Sequence, residues 1–218
     1  MRTPYEYRAQ AREALQGRWG EAAIVSLIIL VAAVLISVPS IVAEWAGPLT
    51  TVLSVLVLPL QYAYYISLLE RTRGSEEELT RFTLQYAINQ AYANTRFLVA
   101  GLLIMLLSIV AAVFTFGIGG LIVKYMYIMV PYLLHDYPEL TPREAMKLSR
   151  EMMSGQKWEL FVLDLTFIGW ILLSILTAGL GTIFVEPYMS TARAAFYEDL
   201  KAEKLIEETE EESSTAIE

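Results

Sequence analysis

Four charged side chains stand inside long apolar stretches of the sequence, and any chemistry is expected from them first. They are Lys124, Asp164, Glu186 and Arg193. A charge within a membrane-spanning helix costs about 2.5–3.5 kcal/mol on insertion scales, so such residues are functional candidates by default. We therefore treat these four as intramembrane polar candidates.

Lys124 and Glu186 occupy similar positions, because each follows a glycine-containing turn by four or five residues. One interpretation is a polar site or a proton-coupled gate between two helical hairpins. The other is a structural ion pair that joins the hairpins, or two side chains that reach back to the nearby membrane surface. We favour this second, structural interpretation.

Asp164 and Arg193 are the remaining two candidates. Asp164 lies about one helical turn inside one end of its apolar stretch, whereas Arg193 lies deeper in the stretch that follows. A pair is one interpretation. Because the two depths do not clearly agree, we favour separate anchors near the membrane interface.

Several classes of chemistry are excluded by residue counts. The chain has no cysteine, which rules out disulfides, thiol nucleophiles and thiolate metal sites, and its single histidine, His135, rules out a multi-histidine metal site. His135 and Asp136 form the only imidazole–carboxylate pair, and no nucleophile accompanies them. Without a catalytic, phosphate-binding or dinucleotide motif, we expect no enzyme, no catalytic residues, no metal and no cofactor.

The composition is that of a membrane protein. Of the 218 residues 56% are hydrophobic and 18% are charged, against about 45–50% and 25% in ordinary soluble domains. The net charge of −8 is concentrated at the end of the chain, since 203–218 holds seven acids and one lysine. We expect one polytopic domain over 1–205 and an acidic disordered tail over 206–218. The sequence has no basic stripe of the kind that binds nucleic acid, so we expect no nucleic-acid partner.

Six apolar stretches are candidate membrane spans: 22–43, 49–69, 97–116, 121–134, 160–176 and 182–197. The first carries no charge over 22 residues, enough to cross about 30 Å of hydrocarbon. Glycines at 117–120 and 179–181 permit the tight turns of helical hairpins, and residues 44–48 make a similar turn. Tyrosines on the returning spans, such as Tyr65 and Tyr132, are expected to form an interfacial belt or pack helices rather than line a cavity.

An internal repeat is indicated at two levels. Thr115, Gly117, Gly119 and Val123 recur 62 residues later as Thr177, Gly179, Gly181 and Val185. Each hairpin also follows an amphipathic segment that opens with a capping box, a Ser or Thr followed three residues later by Glu. The boxes are Thr3–Glu6, Ser75–Glu78 and Thr141–Glu144. The expected apolar stripes of these segments are Tyr7, Ala11, Ala14 and Leu15; Leu84, Ile88, Ala91 and Tyr92; and Ala145, Leu148 and Met152.

The sequence thus predicts an all-α integral membrane protein. Six transmembrane helices form three helical hairpins, each preceded by a cytoplasmic amphipathic helix, in repeat units of about 3–73, 75–136 and 141–200. Of the 16 lysines and arginines, 15 belong to one side, none lies in the three short turns, and Lys124 is within the membrane. The positive-inside rule then places both termini in the cytoplasm.

Residues 125–200 resemble a bacterial family of multi-pass membrane proteins known as domain of unknown function 975. The stretches that carry the resemblance include Asp136-Tyr137-Pro138-Glu139-Leu140, Met153-Ser154-Gly155-Gln156-Lys157 and Thr177-Ala178-Gly179-Leu180-Gly181. The turn at Gly117 departs from the expected Pro-Gly. The resemblance implies a bacterial cytoplasmic membrane protein and implies no activity.

Two functions fit these observations. The first is a non-enzymatic membrane module that binds or positions a partner within the bilayer, either a membrane protein or a lipid. The alternative is a small transporter or permease-like subunit with a polar site near Lys124 and Glu186. A transporter needs polar groups that converge on a hydrated cavity, and the nearly charge-free first three spans favour the module.

Overall fold

The computed structural model describes residues 1–42, 50, 54–92 and 95–215, and within these ranges no strand occurs. The α-helices named below are α1 Pro4–Ala14, α2 Trp19–Val42, α3 Leu58–Thr72, α4 Leu79–Tyr86, α5 Thr95–Phe114, α6 Ile118–Tyr127, α7 Val130–Asp136, α8 Pro142–Met152, α9 Lys157–Leu165, α10 Ile168–Leu176 and α11 Thr182–Thr215. A 3₁₀ turn, Val55–Val57, precedes α3, and a π-helical turn, Ala87–Tyr92, continues α4. The turn predicted at 44–48 lies outside the described residues.

Three helical segments among the described residues are long and apolar enough to cross a membrane: Trp19–Pro39, Thr95–Phe114 and Ile118–Asp136. A fourth span results if α9 and α10, which meet at an angle of 46°, are taken together. The outer surfaces of these helices carry large exposed apolar side chains, including Leu106 and Ile175, which are 61% and 67% exposed. Apolar surface on this scale is compatible with contact with lipid.

The first and third predicted capping boxes are confirmed. In α1 the Thr3 hydroxyl accepts from the Glu6 amide, and the Glu6 carboxylate accepts from the Thr3 amide at 2.6 Å. Thr141 and Glu144 make the same two bonds at the start of α8. These hydrogen bonds from Thr141 also lower the pKa of the Glu144 carboxyl.

The second predicted capping box is wrong. Helix α4 begins at Leu79, and its first amide donates to the Glu21 carboxylate on α2 at 2.9 Å. The cap is therefore supplied by a distant residue that a local motif cannot reveal. Of the predicted stripe, Ala91 is buried as expected, whereas Leu84 and Ile88 are exposed. The other buried positions of this segment are Leu79, Thr83 and Ala87.

The two glycine turns that the repeat relates have closely similar backbones. Gly117 and Gly179 adopt φ of 97° and 90°, which a residue with a side chain rarely adopts. Each donates its amide at 2.8 Å to a carbonyl five residues earlier, on Ala112 and Ser174 respectively. The sequence match at a shift of 62 thus corresponds to a common local geometry.

Helix α11 is the central element of the core. It contacts α1, α2, α3 and α10, and the small buried residues Ala192, Ala194 and Ala195 allow this close approach. The helix continues to Thr215, so most of the segment whose composition predicts disorder is helical here. Glutamate is a good helix former, and the segment extends an existing helix, so no new nucleation is needed. Residues 216–218 lie outside the described residues.

Candidate functional site

A cavity of about 860 Å³ lies between α3, α5, the α6–α7 segment, α10 and α11. Its apolar wall includes Ile104, Ile128, Ile171 and Ile175. The side chains on its polar wall that matter below are Gln61, Tyr65, Lys124, Glu186, Ser190 and Arg193. The volume falls in the range of about 300–1,000 Å³ that is usual for small-molecule sites.

Three of the four predicted site residues line this cavity. Lys124 comes from α6, and Glu186 and Arg193 come from α11. The fourth, Asp164 on α9, is joined to the cavity through Arg193. The sequence had suggested two separate polar locations, and the structure brings all four residues to one.

Asp164 and Arg193 form an ion pair with two parallel hydrogen bonds. Arg193 Nε donates to Asp164 Oδ1 at 3.0 Å and Nη2 donates to Oδ2 at 2.8 Å, while the Tyr125 hydroxyl donates to Oδ2 at 2.8 Å. Both charged side chains are 11% exposed. The favoured interpretation of separate interfacial anchors is therefore wrong. That interpretation compared depths counted along the sequence, whereas the pairing depends on how α9 packs against α11.

Lys124 and Glu186 do not form the predicted ion pair, although they line the same cavity. The Glu186 carboxylate accepts from the Ser190 hydroxyl at 3.1 Å and from the Tyr65 hydroxyl at 3.4 Å. Among the described residues the Lys124 ammonium has no hydrogen-bond or ion-pair partner. Besides Arg193, which is paired with Asp164, the cavity thus contains a cation, Lys124, and an anion, Glu186, that do not neutralise each other directly.

A polar stripe along α11 places these groups. Glu186, Ser190, Arg193 and Tyr197 follow one another at spacings of four, three and four residues, so they share one face of the helix. This spacing, within the mostly apolar stretch 182–197, was the available sequence signal that Ser190 and Tyr197 belong with the two charges. Tyr65 was expected to belong to an interfacial belt or to pack helices. In the structure it lines the cavity.

The stripe ends at a second charged cluster, which sequence reasoning did not find. Asp136 Oδ2 accepts from Arg73 Nη2 and Lys201 Nζ, both at 2.6 Å, and from the Tyr197 hydroxyl at 2.9 Å. Arg73 also pairs with Glu198 at 2.7 Å. Burial lowers the pKa of the Arg73 guanidinium, but its hydrogen bonds to Asp136 and Glu198 outweigh that effect and raise it. Only the neighbouring His135–Asp136 pair could be recognised from the sequence, because the other partners of Asp136 come from distant helices.

The chemistry that the cavity offers is recognition of charge. Within the described part of the chain, no group of three or more His, Asp or Glu side chains could hold a metal ion. The lining instead combines hydroxyls, an amide, an unpaired ammonium, a carboxylate and the Arg193 guanidinium with apolar side chains.

Comparison with known families assigns the chain to one family. The model of the family described as protein of unknown function (DUF975) matches residues 78–204, which is more than half of the chain, so the protein belongs to that family. No curated protein and no solved structure matches the chain.

Proposed function

We propose that this protein is a non-enzymatic integral membrane module that binds a zwitterionic amphiphile, a lipid in the simplest case, in the cavity between its helices. The observation that carries the proposal is that Lys124 and Glu186 face one cavity without pairing. A ligand with both an anionic and a cationic group would neutralise both. Its phosphate would meet Lys124 and its ammonium would meet Glu186.

The apolar wall supports an amphiphile rather than a small polar solute. Ile104, Ile171 and Ile175 give the cavity a surface on which an acyl chain can pack. The neighbouring helices already carry exposed apolar side chains, so an acyl chain can extend from the cavity into the surrounding lipid without entering water.

The proposed topology has six spans in three hairpins, with amphipathic helices and both termini on the cytoplasmic face of a bacterial inner membrane. The similar glycine turns at Gly117 and Gly179 and the matching caps at Thr3 and Thr141 support three related units. Because the chain has no cysteine, single cysteines at Ile118 or Leu180, which are 68% and 64% exposed, should react with an impermeant maleimide from outside intact cells. A cysteine at Ser154 should not, and external labelling there would contradict the topology.

The ligand proposal can be tested on detergent-purified protein by lipid-induced thermal stabilisation. Phosphatidylethanolamine should raise the unfolding temperature of the wild type, and Lys124→Gln and Glu186→Gln should each abolish most of that increase. Lys157→Gln and Glu159→Gln are matched controls, because they remove the same charges outside the cavity. An equal increase in all five proteins would contradict a lipid site at Lys124 and Glu186.

A small transporter is the second candidate, favoured by the continuity of the polar stripe. The stripe runs from Glu186 through Arg193 to Tyr197, which contacts Asp136 at the far end. Such a row of polar groups would suit the passage of a proton or a polar solute. Protein reconstituted in liposomes should then move protons or solute in a way that Glu186→Gln abolishes. If no flux is observed while lipid binding is retained, the transporter proposal is rejected and the binding-module proposal is supported.

A further inference from the structure

A second groove, outside the cavity, lies where α8 packs against α5. It has a volume of about 470 Å³. One wall is apolar and includes Leu106, Leu107 and Val110 of α5, which are 61%, 39% and 44% exposed. The other wall is basic and is formed by Arg143, Lys147 and Arg150 of α8.

The three cations share one face of α8, because they follow one another at spacings of four and three residues. Arg143 and Arg150 have no hydrogen-bond or ion-pair partner among the described residues. Lys147 reaches Glu151 at 3.9 Å, and both side chains are at least half exposed, so that pair contributes little. Three neighbouring positive charges are thus left largely uncompensated beside an apolar surface.

The corresponding helix of the first unit uses its cations differently. Helix α1 carries the same type of capping box as α8, but Arg8 donates to the Thr166 carbonyl and stacks over the Phe167 ring at 5.2 Å. Arg12 donates to the Tyr188 hydroxyl at 3.3 Å. The cations of α1 are therefore partnered within the protein, whereas those of α8 face the groove.

We propose that this groove binds an anionic phospholipid. The phosphate would lie against Arg143, Lys147 and Arg150, since guanidinium groups bind phosphate oxygens with two parallel hydrogen bonds. An acyl chain would lie along Leu106, Leu107 and Val110. Charge complementarity selects an anionic headgroup, and the exposed apolar wall selects a lipid over a free anion. This proposal is independent of the zwitterion-binding cavity.

The probe is phosphatidylglycerol added to the detergent-purified full-length protein, with binding measured by native mass spectrometry. Each cation near an anionic lipid surface contributes about 1 kcal/mol, or about a fivefold change in affinity. We therefore expect about fivefold weaker binding for Arg150→Gln and about a hundredfold weaker binding for the triple Arg143→Gln/Lys147→Gln/Arg150→Gln variant. Binding should also weaken as salt is raised.

The control is Arg81→Gln, which removes an exposed cation from another amphipathic helix, α4. The buried face of α8, made by Ala145, Ser149 and Met152, is untouched by the triple variant, so the fold should persist. If the triple variant fails to fold, the affinity of Arg150→Gln and the salt dependence of wild-type binding still test whether these cations bind the lipid. The proposed site is overturned if the variants bind phosphatidylglycerol as tightly as the wild type does. It is also overturned if Arg81→Gln weakens this binding as much as Arg150→Gln does.

Two further probes identify the source of the phosphate. Inorganic phosphate and the deacylated headgroup should bind at least tenfold more weakly than phosphatidylglycerol, because they make no contact with Leu106 and Leu107. Competition by inorganic phosphate at equal concentration would overturn the lipid assignment in favour of a free-anion site. Phosphatidylcholine, which has no net charge, should bind the wild type and the triple variant equally. Tighter binding of phosphatidylcholine to the wild type than to the triple variant would contradict selection by charge.

Discussion

Two groups of charges within the helix bundle are treated in opposite ways. Around Asp136, and again between Asp164 and Arg193, each buried carboxylate is met by a cation and by a tyrosine hydroxyl at 2.6–3.0 Å. In the cavity, Glu186 receives only hydroxyl donors, and Lys124 has no partner among the described residues.

The contrast separates charges that hold the fold from charges that are available to a ligand. A buried ion pair has already lost its hydration, so it stabilises the fold only while both partners are present. A charge left at the wall of a cavity can still gain energy when an opposite charge arrives. By this reasoning, removing Asp136 should damage the protein far more than removing Lys124.

The largest expected effect is that of Asp136→Asn. Its carboxylate is 5% exposed and compensates both Arg73 and Lys201. After the substitution Arg73 keeps Glu70 and Glu198, whereas Lys201 has no other ion-pair partner among the described residues. We expect the free energy of unfolding in detergent to fall by about 3 kcal/mol, the lower end for a broken buried pair, since both cations are partly exposed. Thermal unfolding measures this, with Glu139→Gln on the neighbouring exposed loop as the control. A change no larger than that of the control would place Asp136 among the dispensable charges.

The next largest effect is expected at the pair of α9 and α11. Asp164→Asn or Arg193→Gln should each lower the free energy of unfolding by about 2 kcal/mol, because each leaves one charge alone in a poorly hydrated position. The double substitution should be less damaging than the sum of the two. Tyr125→Phe, which removes one hydrogen bond to Asp164, should cost about 1 kcal/mol. Strictly additive single effects would show that the two charges do not support each other.

The sequence predicted well wherever the determinant was local. The caps of α1 and α8 depend on residues three apart, and the turns at Gly117 and Gly179 depend on a residue that tolerates positive φ. The cap of α4 was wrongly predicted because Glu21, 58 residues away, supplies it. Local patterns cannot identify such a partner.

Pairing between helices was the part that the sequence could not provide. Depth was counted along the sequence, and the count failed for Asp164 and Arg193 because their pairing depends on the packing of α9 against α11. Lys124 and Glu186 were matched by repeat position, yet equivalent positions in two units need not point at each other. Both residues line one cavity, but they do not form the ion pair that the repeat suggested.

The smallest effect on stability is expected for Lys124→Gln and Glu186→Gln in the absence of lipid. Lys124→Gln should change the free energy of unfolding by less than about 0.5 kcal/mol, as for a surface residue outside any special contact. Glu186→Gln should cost no more than about 1 kcal/mol, since an amide can still accept from Ser190 and Tyr65. The two effects should add to within about 0.5 kcal/mol, because the two side chains make no hydrogen bond or ion pair with each other and share no partner. A coupling above about 1 kcal/mol would mean that the two charges meet in the membrane and stabilise the fold as an ion pair. If the two effects are small and additive, and if each substitution also abolishes the lipid-induced stabilisation, then both residues bind a ligand and do not stabilise the fold.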